Sequence, residues 1–466
     1  MKSPLRVLRL ACLCVSLVPI CGFAPDPSHN FAQDFIVTAA PVYEPLAALR
    51  GGERFPQGAQ LLLVHEGHPQ PLVEGFAATA DANVSFDGKS VLFSGKKAAG
   101  DPWQIYELTL ANHSVRQIST GSSDAIRPLY LPALRIVYAE RNGRVFSLQT
   151  ARISDSPRFQ FLEADGTQPI LPISFLNASA VPSDVLADGR ILFESGFPLG
   201  AGGTPEIYLT YTDGSGVESY RCDHGLARWG GHQLASGDVV FSHGSTLARF
   251  ASPLAHEERI AAPQGEYDGA FAETESGSLL VSARTSAQAR YAIRLWKIGS
   301  PAFETLLADA NQNLVEPVLL APRLRPHHHP SALHPWDYAN LLALDSRLSR
   351  DGDLKTTPAL VRVEMQDAAG HSRILGTAPV AEDGSFFVKV PGDRPIRFVL
   401  LDAKGAVLRQ EHGWFWSRGG EQRICVGCHT GPERAADNRV PAVLLHTTTP
   451  VDLTPSASQP VATGGR

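Results

Sequence analysis

Four stretches of this 466-residue chain repeat one pattern: "VSFDGKSVLFSG" from Val84, "VLADGRILFESG" from Val185, "QLASGDVVFSHG" from Gln233 and "ETESGSLLVSAR" from Glu273. Each is a polar turn closing on glycine, followed at once by an apolar β-type run. "LPALRIVYAE" from Leu131 is a degenerate fifth copy without the glycine. Aligned on Phe93, Tyr138, Phe193, Phe241 and Val281, the copies are spaced by 45, 55, 48 and 40 residues. A period near forty-five residues with several short strands per unit is the signature of propeller blades.

The partner strands "DPWQIYELTL" from Asp101 and "TPEIYLTYT" from Thr204 occupy equivalent places in their units. Together these segments resemble the TolB-type propeller repeat, with its S-x-D-G turn, apolar strand ending in Phe and later I-Y strand. Five copies run from Val84 to about Asp309. "NLVEPVLLAPR" from Asn313 reads as the inner strand of one more blade, and "QLLLVHEGHPQPLV" from Gln60 as its outer strands. Such pairing of the two ends closes a ring and leaves no open edge. The expected fold class is all-β: a six-bladed propeller over residues 45–326, with five or seven blades as alternatives, followed by a β-sandwich and a short C-terminal segment carrying a cysteine pair. Composition agrees, with 41 Gly and 35 Pro for many turns.

After the repeats, residues 327–335 form a Pro/His-rich linker. His327, His328 and His329 lie among prolines without acidic neighbours and read as a solvated stretch. "ALVRVEMQ", "GSFFVKV" and "PIRFVLLDAKGAVL" predict a sandwich over 336–411. Residues 412–452 carry the cysteine pair, and 453–466 read as a disordered tail. At the other end, Lys2, Arg6 and Arg9 precede an apolar run and a Gly22-Phe23-Ala24 site, so residues 1–24 read as a signal peptide. The expected location is the periplasm or another extracytoplasmic space, with no transmembrane span in the mature chain; Cys21 is an alternative lipid-anchor site. Removing 1–24 takes away three cations and no acid, moving the net charge from −6 to −9. That balance argues against nucleic acid as a partner.

Six cysteines are too few for a disulfide framework, and three of them leave with the signal. Cys222, in "YRCDHG", reads as a free thiol on a propeller strand or turn. The remaining pair stands in "QRICVGCH", Gln422 to His429. C-x-x-C-H is the attachment sequence of c-type haem: two thiols add across the vinyl groups and the adjacent imidazole binds iron. A thioredoxin-like pair would need a βαβ context, and a zinc site further ligands. Cys425 and Cys428 are therefore the expected attachment points and His429 the proximal iron ligand. Trp414-Phe415-Trp416 just upstream offers apolar surface for a porphyrin, or core at the end of the sandwich. For the distal side, His412 and His446 are candidates. Met365 alternates with polar neighbours and reads as sandwich core.

From about Asn313 to Glu433 the chain resembles the hydrazine synthase alpha-subunit family. The resemblance is carried by "VEPVLLAPRLRP", "ILGTAPVAEDGSFFVKVPGDRPIRFVLLDAKGAVL" and the tryptophan-rich link into "EQRICVGCH". It implies the family's middle domain and following haem motif, with an upstream propeller, one covalent haem c on Cys425 and Cys428, and His429 as proximal ligand. It departs from the namesake subunit, which carries more than one haem and works in a complex; a single attachment motif stands here, followed by Thr430. Three roles stay open: electron transfer with a redox partner protein, oxidoreductase chemistry on small nitrogen compounds, and a propeller binding module with a structural haem.

Overall fold

The computed structural model describes residues 31–153, 170–196, 204–220, 227–251, 257–349, 352–428, 434 and 437–455. The expected signal peptide with Cys21, Cys222, His429, Thr430 and residues 456–466 of the expected tail lie outside the described residues. The tail's expected start at 453 does not hold, because Leu453 is buried in an apolar core with Val388 and Phe386. Among the described residues no helix is long and apolar enough to cross a membrane.

Residues 35–319 form six four-stranded antiparallel sheets. The second to sixth are each built from strands consecutive in sequence and begin with Ala78–Val84, Ala125–Leu131, Ser179–Val185, Arg228–Gln233 and Glu266–Glu273. The first is assembled from both ends of the segment, in the order Asn313–Leu319, Phe35–Ala40, Gln60–His65, His68–Pro71. The leading strand of each sheet packs against that of the next, and Asn313–Leu319 packs against both Glu266–Glu273 and Ala78–Val84. The architecture is all-β and propeller-like. The repeat's turn glycines explain its regularity: Gly88, Gly189, Gly237 and Gly277 have φ of 72°, 89°, 91° and 74°, the left-handed region that favours glycine.

The first sheet corrects one expectation. Gln60–His65 and His68–Pro71 do join Asn313–Leu319, but across an intervening strand, Phe35–Ala40, in register Phe35↔Leu319. A start at residue 45 omits that strand. All six of its residues are buried, so no polar alternation marks it in the sequence.

In each sheet the pairing of the first two strands is interrupted by a register shift. At three of these bulges stands a charged residue with left-handed backbone: Asp81 (φ 60°), Arg127 (φ 56°) and Glu316 (φ 57°). Such conformations cost on the order of 1 kcal/mol or more each. They deliver the side chains to one buried ionic network. Arg54, from the loop after Phe35–Ala40, pairs with Asp81 and Glu316. Arg127 lies 3.3 Å from Glu316 and 3.4 Å from Glu194. The same loop adds Tyr43, whose hydroxyl donates to Asp268 at 2.6 Å, and Ala48, Leu49 and Phe55, which share a core with Ala80, Ile126, Val181 and Val315.

Residues 338–452 form two further four-stranded sheets. One runs Gln422–Cys425, Tyr338–Ala343, Phe386–Pro391, Val451–Asp452; the other runs Ser372–Pro379, Leu360–Gln366, Ile396–Leu401, Val407–Gln410. They share one apolar core, including Leu341, Val363, Phe386 and Phe398. The expected boundary at 411/412 does not hold. Residues 412–452 supply both edge strands of the first of these sheets, pairing in parallel with Tyr338–Ala343 and Phe386–Pro391. The strands are four and two residues long, too short to show a period.

The linker is likewise no free spacer. The His327 amide donates to Ala187 O at 2.9 Å, Ser331 Oγ to Asp213 at 2.7 Å, and the His334 amide to Gly420 O at 3.2 Å. Gly189 allows this course, since a Cβ there would fall 2.1 Å from His327 O. The side chains of His327, His328 and His329 remain exposed, as the sequence implies.

Asp268 yields a test of the ionic network. Its Oδ2 is buried and has no hydrogen-bond partner. Burial, aided by the nearby Glu316 charge, pushes its carboxyl up to about 6, while the Tyr43 hydrogen bond and the two arginines act in the opposite sense. An acid raised in the folded state binds its proton more tightly there, so stability declines as pH rises from about 4 to about 6 and then levels. Asp268→Asn should therefore stabilise the protein at pH 8, by roughly 3 kcal/mol at most. The gain should shrink toward zero near pH 4. Denaturant unfolding of both proteins at pH 8 and pH 4.5 measures it, and an equal difference at both pH values would contradict the assignment.

Candidate functional site

The strand Gln422–Cys425 exists because its backbone completes an edge. It runs in register Asn340↔Gln422 to Ala343↔Cys425. The pairing continues into the motif, with the Leu344 amide donating to Cys425 O at 2.9 Å and the Asp345 amide to Val426 O at 3.1 Å. The cysteine turn is thus fixed to the strand beside it. Pleating sends alternate side chains to opposite faces. Ile424 is 67% exposed, while Arg423 and Cys425 turn the other way and are partly buried.

Both Cys425 and Cys428 are free thiols. Cys428 is 5% exposed and belongs to the core that holds Val361, Met365 and Phe386. Burial pushes its thiol well above the ordinary cysteine range. Burial raises Cys425 as well, and the Arg423 guanidinium works against that rise. Beside the turn lies a small, shallow cleft lined by Leu344, Leu348, Val426, Pro441, Asp345 and Arg439. Apolar Leu344, Leu348, Val426 and Pro441 form its wall, with the charged Asp345 and Arg439 beside them.

Of the other residues marked in the sequence, Met365 is 6% exposed inside the apolar core shared by the two sheets of residues 338–452, where its strand pattern puts it. His412 is exposed just before the tryptophan segment, and His446 is exposed at the end of the short helix Ala442–His446. That helix is tied down at its start by the Ala442 amide to Asp383 at 2.7 Å and the Val443 amide to Ser385 Oγ at 3.0 Å. Among the described residues no group of three or more His, Cys, Asp or Glu could hold a metal ion.

Within the tryptophan segment, Phe415 packs against the core of residues 338–452, as one expectation had it, whereas Trp416 does something else. Trp416 is fully buried, but among Phe193, Ile173 and Val217 of the propeller-like body rather than in the core of residues 338–452. Its ring lies 6.1 Å from Phe175 and 6.2 Å from Phe193, and its Nε1 donates to Gly214 O at 2.8 Å. Charged neighbours extend the contact, as Arg418 pairs with Asp393 at 2.7 Å and donates to Asp213 O. Glu421 accepts from the Gly216 amide at 3.1 Å, and Arg423 Nη2 donates to Val217 O at 2.6 Å. One hairpin turn of the fourth sheet, residues 211–217, therefore braces the strand that leads into the cysteine pair. Sequence reasoning missed Arg418, Glu421 and Arg423; the charge alternation "SRGGEQR" was the only sign that this strand faces a partner.

Comparison with known proteins follows the same division. Residues 349–430 match the sequence profile described as the hydrazine synthase alpha subunit middle domain. The hydrazine synthase structure from Kuenenia stuttgartiensis is similar in fold over 89% of this chain and 72% of that one, with a TM-score of 0.76 at 17% sequence identity. TolB from Acinetobacter baumannii is 12% identical over 63% of this chain and 67% of its own, with a TM-score of 0.44. No curated protein sequence matches the chain. The resemblance read from the sequence holds for the middle domain and, at the level of fold, for most of the chain.

Truncating the anchoring ring gives a direct check. Trp416→Ala should destabilise the protein by about 3–5 kcal/mol, the range for a fully buried large aromatic. Chemical denaturation followed by tryptophan-independent circular dichroism reads the change. A loss below about 1 kcal/mol would show that the contact contributes little.

Proposed function

We propose that this protein is an exported, monohaem c-type cytochrome, with its cofactor attached at Cys425 and Cys428 and His429 as proximal iron ligand. The observation that carries the reading is the C-x-x-C-H sequence, with Cys425 and Val426 fixed by backbone hydrogen bonds at a sheet edge. The six sheets of residues 35–319 are then the blades of a closed six-bladed propeller, and the two sheets of residues 338–452 a sandwich. The cyclic packing of the leading strands and the shared apolar core support these assignments.

Haem so bound would supply one-electron chemistry at its iron. The chain's own part is to hold Cys425 at the end of a braced strand and Cys428 against the neighbouring apolar core, and to offer apolar wall at Leu344, Leu348, Val426 and Pro441. Met365 is committed to the sandwich core, which leaves His412, His446, a weak oxygen ligand or an open position for the sixth site. Electron transfer with a redox partner protein outside the cytoplasm is the role we assign, with the propeller as docking scaffold. The second reading, an oxidoreductase related to hydrazine synthase, is favoured by the fold likeness across 89% of the chain.

Haem staining and optical spectra decide. Protein matured in a host with haem-attachment machinery should stain for haem on a denaturing gel, and Cys428→Ser should remove most of the stain. A low-spin ferric spectrum that becomes high-spin in His412→Ala or His446→Ala identifies the sixth ligand and supports electron transfer. A wild type already high-spin that binds nitric oxide readily supports the oxidoreductase reading. A stain-negative wild type contradicts both.

A further inference from the structure

Arg423 precedes Cys425 by two residues on the same strand, so pleating turns both side chains to one face. That face abuts the propeller-like body rather than open water. Nη2 is held by the Val217 carbonyl at 2.6 Å, and the guanidinium carbon stands 5.3 Å from the centre of the Phe415 ring. Nη1 is buried and makes no hydrogen bond. Its closest carboxylate oxygen, Glu421 Oε1, is 3.9 Å away, and the two Glu421 oxygens already accept from the Gly216 and Arg418 amides. A cation enclosed by protein thus stands beside the first cysteine of the motif and interacts with its thiol. The charges acting on that sulfur are the Arg423 cation and, in the opposite sense, the Glu411 and Glu421 carboxylates.

We infer that Arg423 is a positioning residue of the haem site: it ties the Cys425 strand to the fourth sheet of the propeller and keeps a fixed positive charge beside the attachment sulfur. The inference rests on the haem reading above. Arginine suits the task because its planar fork can spend one nitrogen on the Val217 carbonyl while the rest of the charge faces the sulfur. A fixed cation in a poorly hydrated place favours the less positive, reduced state of a nearby iron, and so raises its reduction potential. By this route the propeller becomes one wall of the redox site.

Two measurements on the full chain test the inference. Potentiometric titration of haem-loaded wild type, Arg423→Met and Arg423→Lys should show a downward shift in midpoint potential for the methionine variant. Lysine, which keeps the charge, should restore most of it. Hydrogen–deuterium exchange of the haem-free Cys425→Ser, Cys428→Ser chain should be several-fold faster over residues 422–425 once Arg423→Met is added. Unchanged potential together with unchanged exchange overturns the inference. If wild type fails to take up haem, the haem reading falls on the stain alone, and the exchange measurement still decides whether Arg423 positions the strand.

Discussion

The Trp416 indole and its hydrogen bond to the Gly214 carbonyl join the two bodies of this protein. An indole buries a large apolar area and carries a single donor that must find a partner when enclosed. Here the area is supplied by Phe175, Phe193 and their neighbours, and the partner by a backbone carbonyl in a turn. Gly214, at φ 83°, makes that turn possible, and a Cβ at this position would fall 2.7 Å from Ile173 O. Once the indole is seated, the chain from Ser417 to Cys425 runs along the fourth sheet, where Arg418, Glu421 and Arg423 each find a backbone group. The cysteine pair inherits its position from that course.

The propeller-like body makes such a fixed edge available. Its sheets are held at their leading strands by bulges that cost backbone strain and return a network of paired charges in the interior. Breaking one partner of such a network strands a buried charge, which is far more costly than losing a surface pair. The loop carrying Tyr43 and Arg54 reaches leading strands of the first, second and sixth sheets, and so ties the closing sheet to its neighbours.

Much of this is legible in the sequence, for physical reasons that differ from residue to residue. The turn glycines announce the repeat because only glycine adopts their backbone conformation without strain. The pair Cys425 and Cys428 announces itself by spacing. Phe35–Ala40 is silent because a strand buried on both faces has no alternation, and Gln422–Cys425 because four residues cannot show one. Trp416 reads as a generic apolar residue, since its function lies in a contact more than two hundred residues away along the chain. Arg423 carries no mark in the sequence for the same reason: its partner Val217 also lies more than two hundred residues away along the chain.

The account turns on whether the braced cysteine pair carries a cofactor. Mass spectrometry of proteolytic fragments from the mature, exported protein addresses this directly. The account predicts that the fragment containing Cys425 and Cys428 is heavier by one haem, joined through both sulfurs, with no haem on any other fragment. Recovery of that fragment with two unmodified cysteines, or with a disulfide between them, from a host that loads other c-type cytochromes would contradict it.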